Sequence, residues 1–363
     1  MILRDILATL ETIAPLRHAE SWDNVGLLAG DPAAPVTRVL LAIDYTKAVA
    51  AEARRAGAEL VVAYHPPIFS PLKRLGAESL VFQAIRDRIA LYSPHTALDV
   101  AKGGTNDLLA DILGLASRAP LQKSPAQDVE VKLITFVPED ELEKLAAALF
   151  SAGAGRIGKY SACSFRSPGT GTFFGEEGAE PAVGEAGRLE SVSEIRLETV
   201  VPLDKVDAVV AALRRSHSYE EPAFDLVRLA PHPDGAGIGR IGELAEPRPR
   251  AELFDRIKRA LGVSSLLVAG PQGGEVKRAA VCAGAGASLL DAALARRAEL
   301  FLTGELRHHD ALRAAAAGMT VVCALHSNSE RASLGRLKER LEAAHPGLAI
   351  VQSEDDRDPF SFC

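Results

Sequence analysis

Two short stretches repeat one chemical device. ALHSNSERASL (324–334) sets His326 four residues before Glu330, where the apolar run 320–325 gives way to a helical pattern, and SPHTALDVAKG (93–103) sets His95 four residues before Asp99 after the apolar run 89–92. Residues i and i+4 share one helix face, so an imidazole and a carboxylate at that spacing can grip one cation. A third histidine, His65 in AYHPPIF, ends an apolar strand-like run, and open α/β sheets place ligands at such strand ends. Its two following prolines hold the chain's exit rigid. Glu305 in LTGELRHH lies 240 positions after His65. Together His65, His95, Asp99, Glu305, His326 and Glu330 form a donor set suited to zinc, manganese or iron, in which Asp99 or Glu330 could bridge two ions. Each residue also has a plainer reading: Glu330 as a first-turn acid favoured by the helix dipole, Asp99 as a turn residue, His65 as a core histidine bonded to a carbonyl.

The elements that must position this set come in two related groups. RVLLAID (38–44), KAVAAEARRAG (47–57) and ELVVAYHPPIF (59–69) read as strand, helix and strand, a βαβ unit with a parallel pair and a right-handed crossover. A shift of 240 places Arg38 on Arg278 and Ala58-Glu59-Leu60 on Ala298-Glu299-Leu300 without a gap. After each copy come another strand and a His-x3-acid. This order indicates a duplication: two similar α/β halves facing each other across the site.

Between the halves a different pattern recurs. VKLITFVPEDELEKLAAALFSAGA (131–154) and IRLETVVPLDKVDAVVAALRRSHS (195–218) superpose at a shift of 64, with Pro138 on Pro202, Leu142 on Val206 and Leu149 on Leu213. With strand candidates at 160–165, 169–174 and 223–229, the order β-α-β-β-α-β predicts a ferredoxin-like α+β module. The flanks LQKSPAQD (121–128) and APHPDGAGIGRIG (230–242) read as linkers. GAGRIGK (153–159) has the spacing of a phosphate loop, but Tyr160 replaces the hydroxyl that magnesium needs and the loop follows a helix. Gly284-Ala285-Gly286 lacks the third glycine of a dinucleotide fingerprint and reads as a tight strand-to-helix turn.

Composition narrows the function classes. The 363 residues can form two or three domains, and 47% hydrophobic with 25% charged residues is ordinary for a globular protein. A net charge of −7 argues against a nucleic-acid binder. The longest nearly apolar run, 314–325, is too short to span a bilayer, and the amphipathic start MILRDILATLE is not a signal peptide. Four dispersed cysteines, 163, 282, 323 and 363, read as reduced, mostly buried thiols in a cytoplasmic protein.

ESWDNVGLL (20–28), YHPPIF (64–69), YSPHTALD (92–99), LTGE (302–305) and HSNSER (326–331) resemble, in order, the motifs of the Nif-three-like dinuclear-metal proteins, also called GTP cyclohydrolase I type 2 homologs. AGAGRIGKYSACSF and SHSYEEPAF are similar to the PII/CutA-type domain inserted in longer members. The resemblance implies a first core half at 1–125, the insert at 126–232 and a second core half at 233–363. It implies two divalent ions held by His65, Asp99, His326 and Glu330, and a hexameric ring. Many bacterial members carry a second histidine where this chain has Tyr64, as eukaryotic-type members do, so one site is expected to be weaker or completed by water. His95 and Glu305 match motif positions outside the usual ligand set and are expected behind it. The activity implied is hydrolysis of a nucleotide or other phosphate-containing small molecule, the family name pointing to C8 of the guanine of GTP. The alternative is a non-catalytic metal-handling or regulatory ring whose insert senses a small ligand. Turnover that disappears on chelation separates the two.

Overall fold

Leu3, Ile6, Leu10 and Ile13 recur at steps of three and four residues, so the first helix buries one stripe and leaves the other faces in water. The same logic of burial organises the rest of the computed structural model, which describes residues 1–123, 130–179, 181–229 and 236–361. In chain order the elements are α1 (Leu3–Ile13), β1 (Gly26–Ala29), β2 (Arg38–Ala42), α2 (Lys47–Ala56), β3 (Leu60–Ala63), α3 (Leu80–Arg86), β4 (Ala90–Ser93), α4 (His95–Val100), α5 (Thr105–Leu113) and β5 (Leu115–Lys123). Then follow β6 (Glu130–Val137), α6 (Leu142–Ser151), β7 (Ser164–Phe174), β8 (Leu189–Pro202), α7 (Val206–Ser216) and β9 (Phe224–Arg228). The chain ends with β10 (Gly237–Pro249), α8 (Arg250–Leu261), β11 (Leu267–Ala269), β12 (Glu275–Ala285), α9 (Leu290–Ala295), β13 (Leu300–Glu305), α10 (His308–Ala316), β14 (Thr320–Cys323), α11 (His326–Ala344) and β15 (Ala349–Gln352). Two units result: 1–125 with 234–363, and 126–233.

The larger unit holds two mixed sheets, β1-β4-β3-β2-β15 and β11-β14-β13-β12-β10-β5. In the first, β15, β2, β3 and β4 are parallel and β1 is an antiparallel edge. Parallel strands are covered on both faces, and β3 is accordingly apolar and fully buried along its length. The 240-residue repeat appears in the pairing register: Val39 faces Leu60, and Ala279 faces Leu300. It appears in the side chains too. Glu59 accepts the amides of Thr37 and Arg38, and Glu299 accepts those of Lys277 and Arg278.

Sheet membership crosses the boundary between the sequence halves. β5 pairs with β10 in the second sheet, and β15 pairs with β2 in the first. Gly237 to Gly242, read from sequence as linker, lie instead in β10. A Cβ at Gly237 would stand 2.3 Å from the Gln122 carbonyl and one at Gly242 2.7 Å from that of Ala116, so these glycines serve close strand approach rather than flexibility. Leu121 to Lys123, also read as linker, belong to β5, and of the other linker residues 124–128 and 230–235 lie outside the described residues.

In the smaller unit the order is β-α-β-β-α-β, and the antiparallel sheet runs β7-β8-β6-β9. The 64-residue repeat holds for α6 and α7, which start at Leu142 and Val206. The strand candidate at 169–174 belongs to one long strand that starts at Ser164, and residues 160–163 stay outside it. Pro168 is tolerated inside it because β7 is an edge strand, where a missing N–H costs no ladder bond. Cys163, Cys282 and Cys323 are free thiols, only Cys282 of them buried, and Cys363 lies outside the described residues.

Candidate metal centre

β3 does not stop cleanly at Ala63. The Tyr64 and His65 amides continue the pairing onto the carbonyls of Ala42 and Ile43 at 2.8 and 2.9 Å, and Pro66 then ends it by lacking an N–H. Strand alternation sends the two side chains to opposite faces. Tyr64 enters the hydrophobic core and is fully buried, whereas His65 stays partly open. The His65 Nδ1 donates to Asp44 Oδ1 at 3.0 Å, which turns Nε2 toward Glu330, 3.2 Å from its Oε2. The angles of that second contact do not make a hydrogen bond. Both atoms are therefore buried without a hydrogen-bond partner.

His326 opens α11 directly after Leu325, whose φ of 70° is the left-handed conformation that β-carbon-bearing residues avoid. Strain of this kind persists where the surroundings fix it, often at functional sites. His326 repeats the arrangement of His65: Nδ1 lies 3.1 Å from Glu305 Oε1, and Nε2 lies 3.4 Å from Glu330 Oε1. Glu330 is only 3% exposed and stands between the two imidazoles. Donor atoms of His65, His326 and Glu330 all fall within 4.8 Å of one another. Gly284 makes the room, since a Cβ there would be 2.8 Å from Glu330 Oε1 and 3.3 Å from His326 Nε2.

The remaining expected residues stand around this trio. Asp99 is buried and accepts a short hydrogen bond from the Tyr64 hydroxyl, which also lies 3.0 Å from Thr105 Oγ1. The Tyr64 hydroxyl thus grips Asp99, outside the trio. His95, itself at a φ of 27°, gives Nδ1 to Asp23 at 2.8 Å, and its ring centroid is 5.3 Å from that of His65. Asn106 ties the groups together: its amide donates to the Asp99 carbonyl at 3.0 Å and its oxygen accepts from Ala283 N at 2.9 Å.

Electrostatics follow from burial and this crowding. Burial by itself would lower the His65 pKa, but the bond to Asp44 and the close Glu330 carboxylate, with the charges of both, raise it to about 10. Asp44 is held below the usual carboxylate range by its bond to His65, against its own burial. Burial, then the Glu330 charge, pushes Asp99 up to about 7, although the Tyr64 and Thr105 hydroxyls pull it down. Carboxylates this close repel, and a cation relieves that repulsion.

The donor set therefore fits a divalent metal. Two imidazole nitrogens face one buried carboxylate, each imidazole is oriented through its other nitrogen by an acid, and His65 Nε2 and Glu330 Oε2 have no hydrogen-bond partner. Sequence reading missed Asp44, Asp23, Asn106 and Gly284. Asp44 ends an apolar strand just as His65 does, which was a usable signal. Asp23 stands inside the quoted ESWDNVGLL, but nothing there says that it holds His95 from 72 residues away.

A family model described as Duf34/NIF3 (NGG1p interacting factor 3) matches residues 1–359. A Halalkalibacterium halodurans protein named GTP cyclohydrolase 1 type 2 homolog is 38% identical over 98% of both chains. A Bacillus subtilis protein of the same name is 35% identical over 99% of this chain and 98% of its own. Among solved structures, a Bacillus cereus protein related to NIF3 matches with a TM-score of 0.73 at 34% identity, covering 100% of this chain and 99% of its own. No helix among the described residues is long and apolar enough to cross a membrane.

Proposed function

We propose, on the premise that the chain belongs to the Duf34/NIF3 family, that it is a metal-dependent hydrolase acting on a nucleotide or another phosphate-containing small molecule. The observation that carries this reading is the pair of buried, opposed donors, His65 Nε2 and Glu330 Oε2, with no hydrogen-bond partner of their own. His65, His326 and Glu330 would hold one cation, and Asp99 beside Glu330 is the ligand we assign to a second. Zinc, manganese and iron all suit these donors. Such ions, when bound, polarise a phosphoryl or carbonyl oxygen and make a water more acidic. The chain's own groups do the orienting. Asp44 and Glu305 hold the Nδ1 protons of His65 and His326, so that the Nε2 lone pairs face the ion site. Asp23 does the same for His95, turning its Nε2 away from that bond. The relatives' name favours a nucleotide as substrate.

We further assign the 126–233 unit to the PII/CutA-like class on its β-α-β-β-α-β order, and the whole protein to a cytoplasmic hexameric ring. Light scattering of the purified protein tests the ring. For the centre, elemental analysis of dialysed His326→Ala and Asp99→Ala should show lost metal with unchanged circular dichroism. Full metal content in both would end the shared-site reading. Nucleotides and phosphoesters should be turned over by the native protein and not after chelation. Tight metal binding without any turnover would favour a metal-handling or regulatory ring instead.

A further inference from the structure

The 126–233 unit contains a cavity of about 670 Å³, within the range of small-molecule sites. It lies between the β7–β8 hairpin, the residues after β7 and the segment after α7. Phe136, Phe173 and Val183 give it apolar walls. Glu194 and Glu221 line it, and Arg196 is the one cation among the described lining residues. Arg196 is itself engaged by Glu198, 2.9 Å from its Nη2.

Glu194 is the informative residue. It is only 8% exposed. The Tyr219 hydroxyl donates to its Oε1 at 2.8 Å, and no described residue hydrogen-bonds its Oε2. A Cβ at Gly171 would stand 2.1 Å from that oxygen, so a glycine there is what leaves the carboxylate its place. The wall that holds Tyr219 is also built. His217 is buried; its Nε2 donates to the Phe136 carbonyl at 2.9 Å, and its Nδ1 accepts the Tyr219 amide at 3.1 Å. The Glu194 side chain thus offers the cavity an anionic oxygen that no described residue has taken, and a cation seated there makes a charge-assisted contact.

We propose that this cavity binds a small organic cation with an apolar, aromatic-sized body, its ammonium group seated on Glu194. The apolar walls take the body, and Tyr219 keeps Glu194 aimed at the charge. The site uses no residue of the metal centre and stands whether or not the hydrolase reading does.

The full-length protein tests this with three fluorescent probes that share one ring system: 1-pyrenemethylamine, 1-pyrenemethanol and 1-pyrenebutyrate. The amine should bind about ten-fold or more tighter than the alcohol, the scale of one charge-assisted contact. Glu194→Gln should abolish that preference while leaving alcohol binding unchanged, and Tyr219→Phe should weaken amine binding several-fold. Thermal melts of both variants report folding, and the ranking of the three probes on the native protein stands even if a variant does not fold. Equal binding of amine and alcohol, tightest binding of the anion, or a preference that survives in folded Glu194→Gln would each overturn the proposal.

Discussion

Replacing Gly284 by alanine tests the geometry of the proposed metal centre more sharply than removing one of its proposed ligands. Gly284 has a φ of 63°, so an alanine pays the left-handed backbone penalty of about 1–2 kcal/mol. Its methyl would also sit 2.8 Å from Glu330 Oε1 and 3.3 Å from His326 Nε2. Neither side can withdraw easily. The Gly284 amide donates to Ser329 Oγ at 2.9 Å, and its carbonyl accepts from Thr303 Oγ1 at 3.1 Å. Glu330 is 3% exposed and faces an imidazole with each oxygen. Overpacking of this kind adds about 1–3 kcal/mol, for a total of about 2–5 kcal/mol. Zinc affinity should fall about 10–100-fold, as when groups that orient ligands are disturbed. Gly262→Ala is the matched control. Gly262 has a φ of 67° with nothing within 4 Å of a built Cβ, so it carries the backbone cost alone and should leave zinc binding intact. Denaturant unfolding of the metal-free proteins gives the first quantity, and calorimetric zinc titration gives the second. If Gly284→Ala binds zinc like the native protein, or Gly262→Ala loses zinc as strongly, the reasoning fails.

Tyr64→Phe should destabilise the metal-free protein by about 1–3 kcal/mol, because buried Asp99 loses a donor. Asp99 has a raised folded pKa, so its contribution to stability is lost as pH rises toward about 7; without Tyr64 that loss extends higher, and denaturation should show a larger deficit at pH 8 than at pH 5. Because His65 keeps its proton up to about pH 10 in the metal-free state, binding must expel it, and competition titrations should find zinc affinity rising about tenfold per unit between pH 6 and 8; a flat profile would remove His65 from the ligands. Excising 126–232 and closing the gap with a short turn should leave a folded, zinc-binding core, since Lys123 and Gly237 are paired neighbours in adjacent antiparallel strands; an insoluble or metal-free product would count against it.

Local structure was legible where one physical signal dominates. The stripe Leu3, Ile6, Leu10 and Ile13, the stop at Gly57 and the proline exit after His65 each follow from periodicity or backbone chemistry, and the 240-residue repeat survives into strand register. The closeness of His326 and Glu330 was legible for the same reason, since helical spacing alone puts them together. What stayed hidden depends on contacts between distant segments. No pattern near Asp99 announces that Tyr64, from a neighbouring strand, will grip it. Glycines 237 to 242 misled because close strand approach and flexible linkage favour the same residue.

The exchange of elements between the two sheets explains how His65, His326 and Glu330 come together. After His95, α5 packs Leu109 and Leu113 into the core of the second sheet, and β5 joins that sheet. After His326, α11 packs Leu334, Leu337 and Leu341 into the core of the first sheet, and β15 joins it. Each His-x3-acid therefore sits where the chain leaves the sheet that carried it and enters the other. A helix anchored in the first core is what brings Glu330, following a strand of the second sheet, to 3.2 Å from His65, at the end of a strand of the first. Asn106 makes the same crossing at the start of α5, bonding Asp99 on one side and Ala283 on the other. The donors are thus fixed by two hydrophobic cores at once, and a shift of one sheet against the other would separate His65 from Glu330 before it exposed much apolar surface. That coupling keeps the carboxylate between its imidazoles in spite of the cost of burying it.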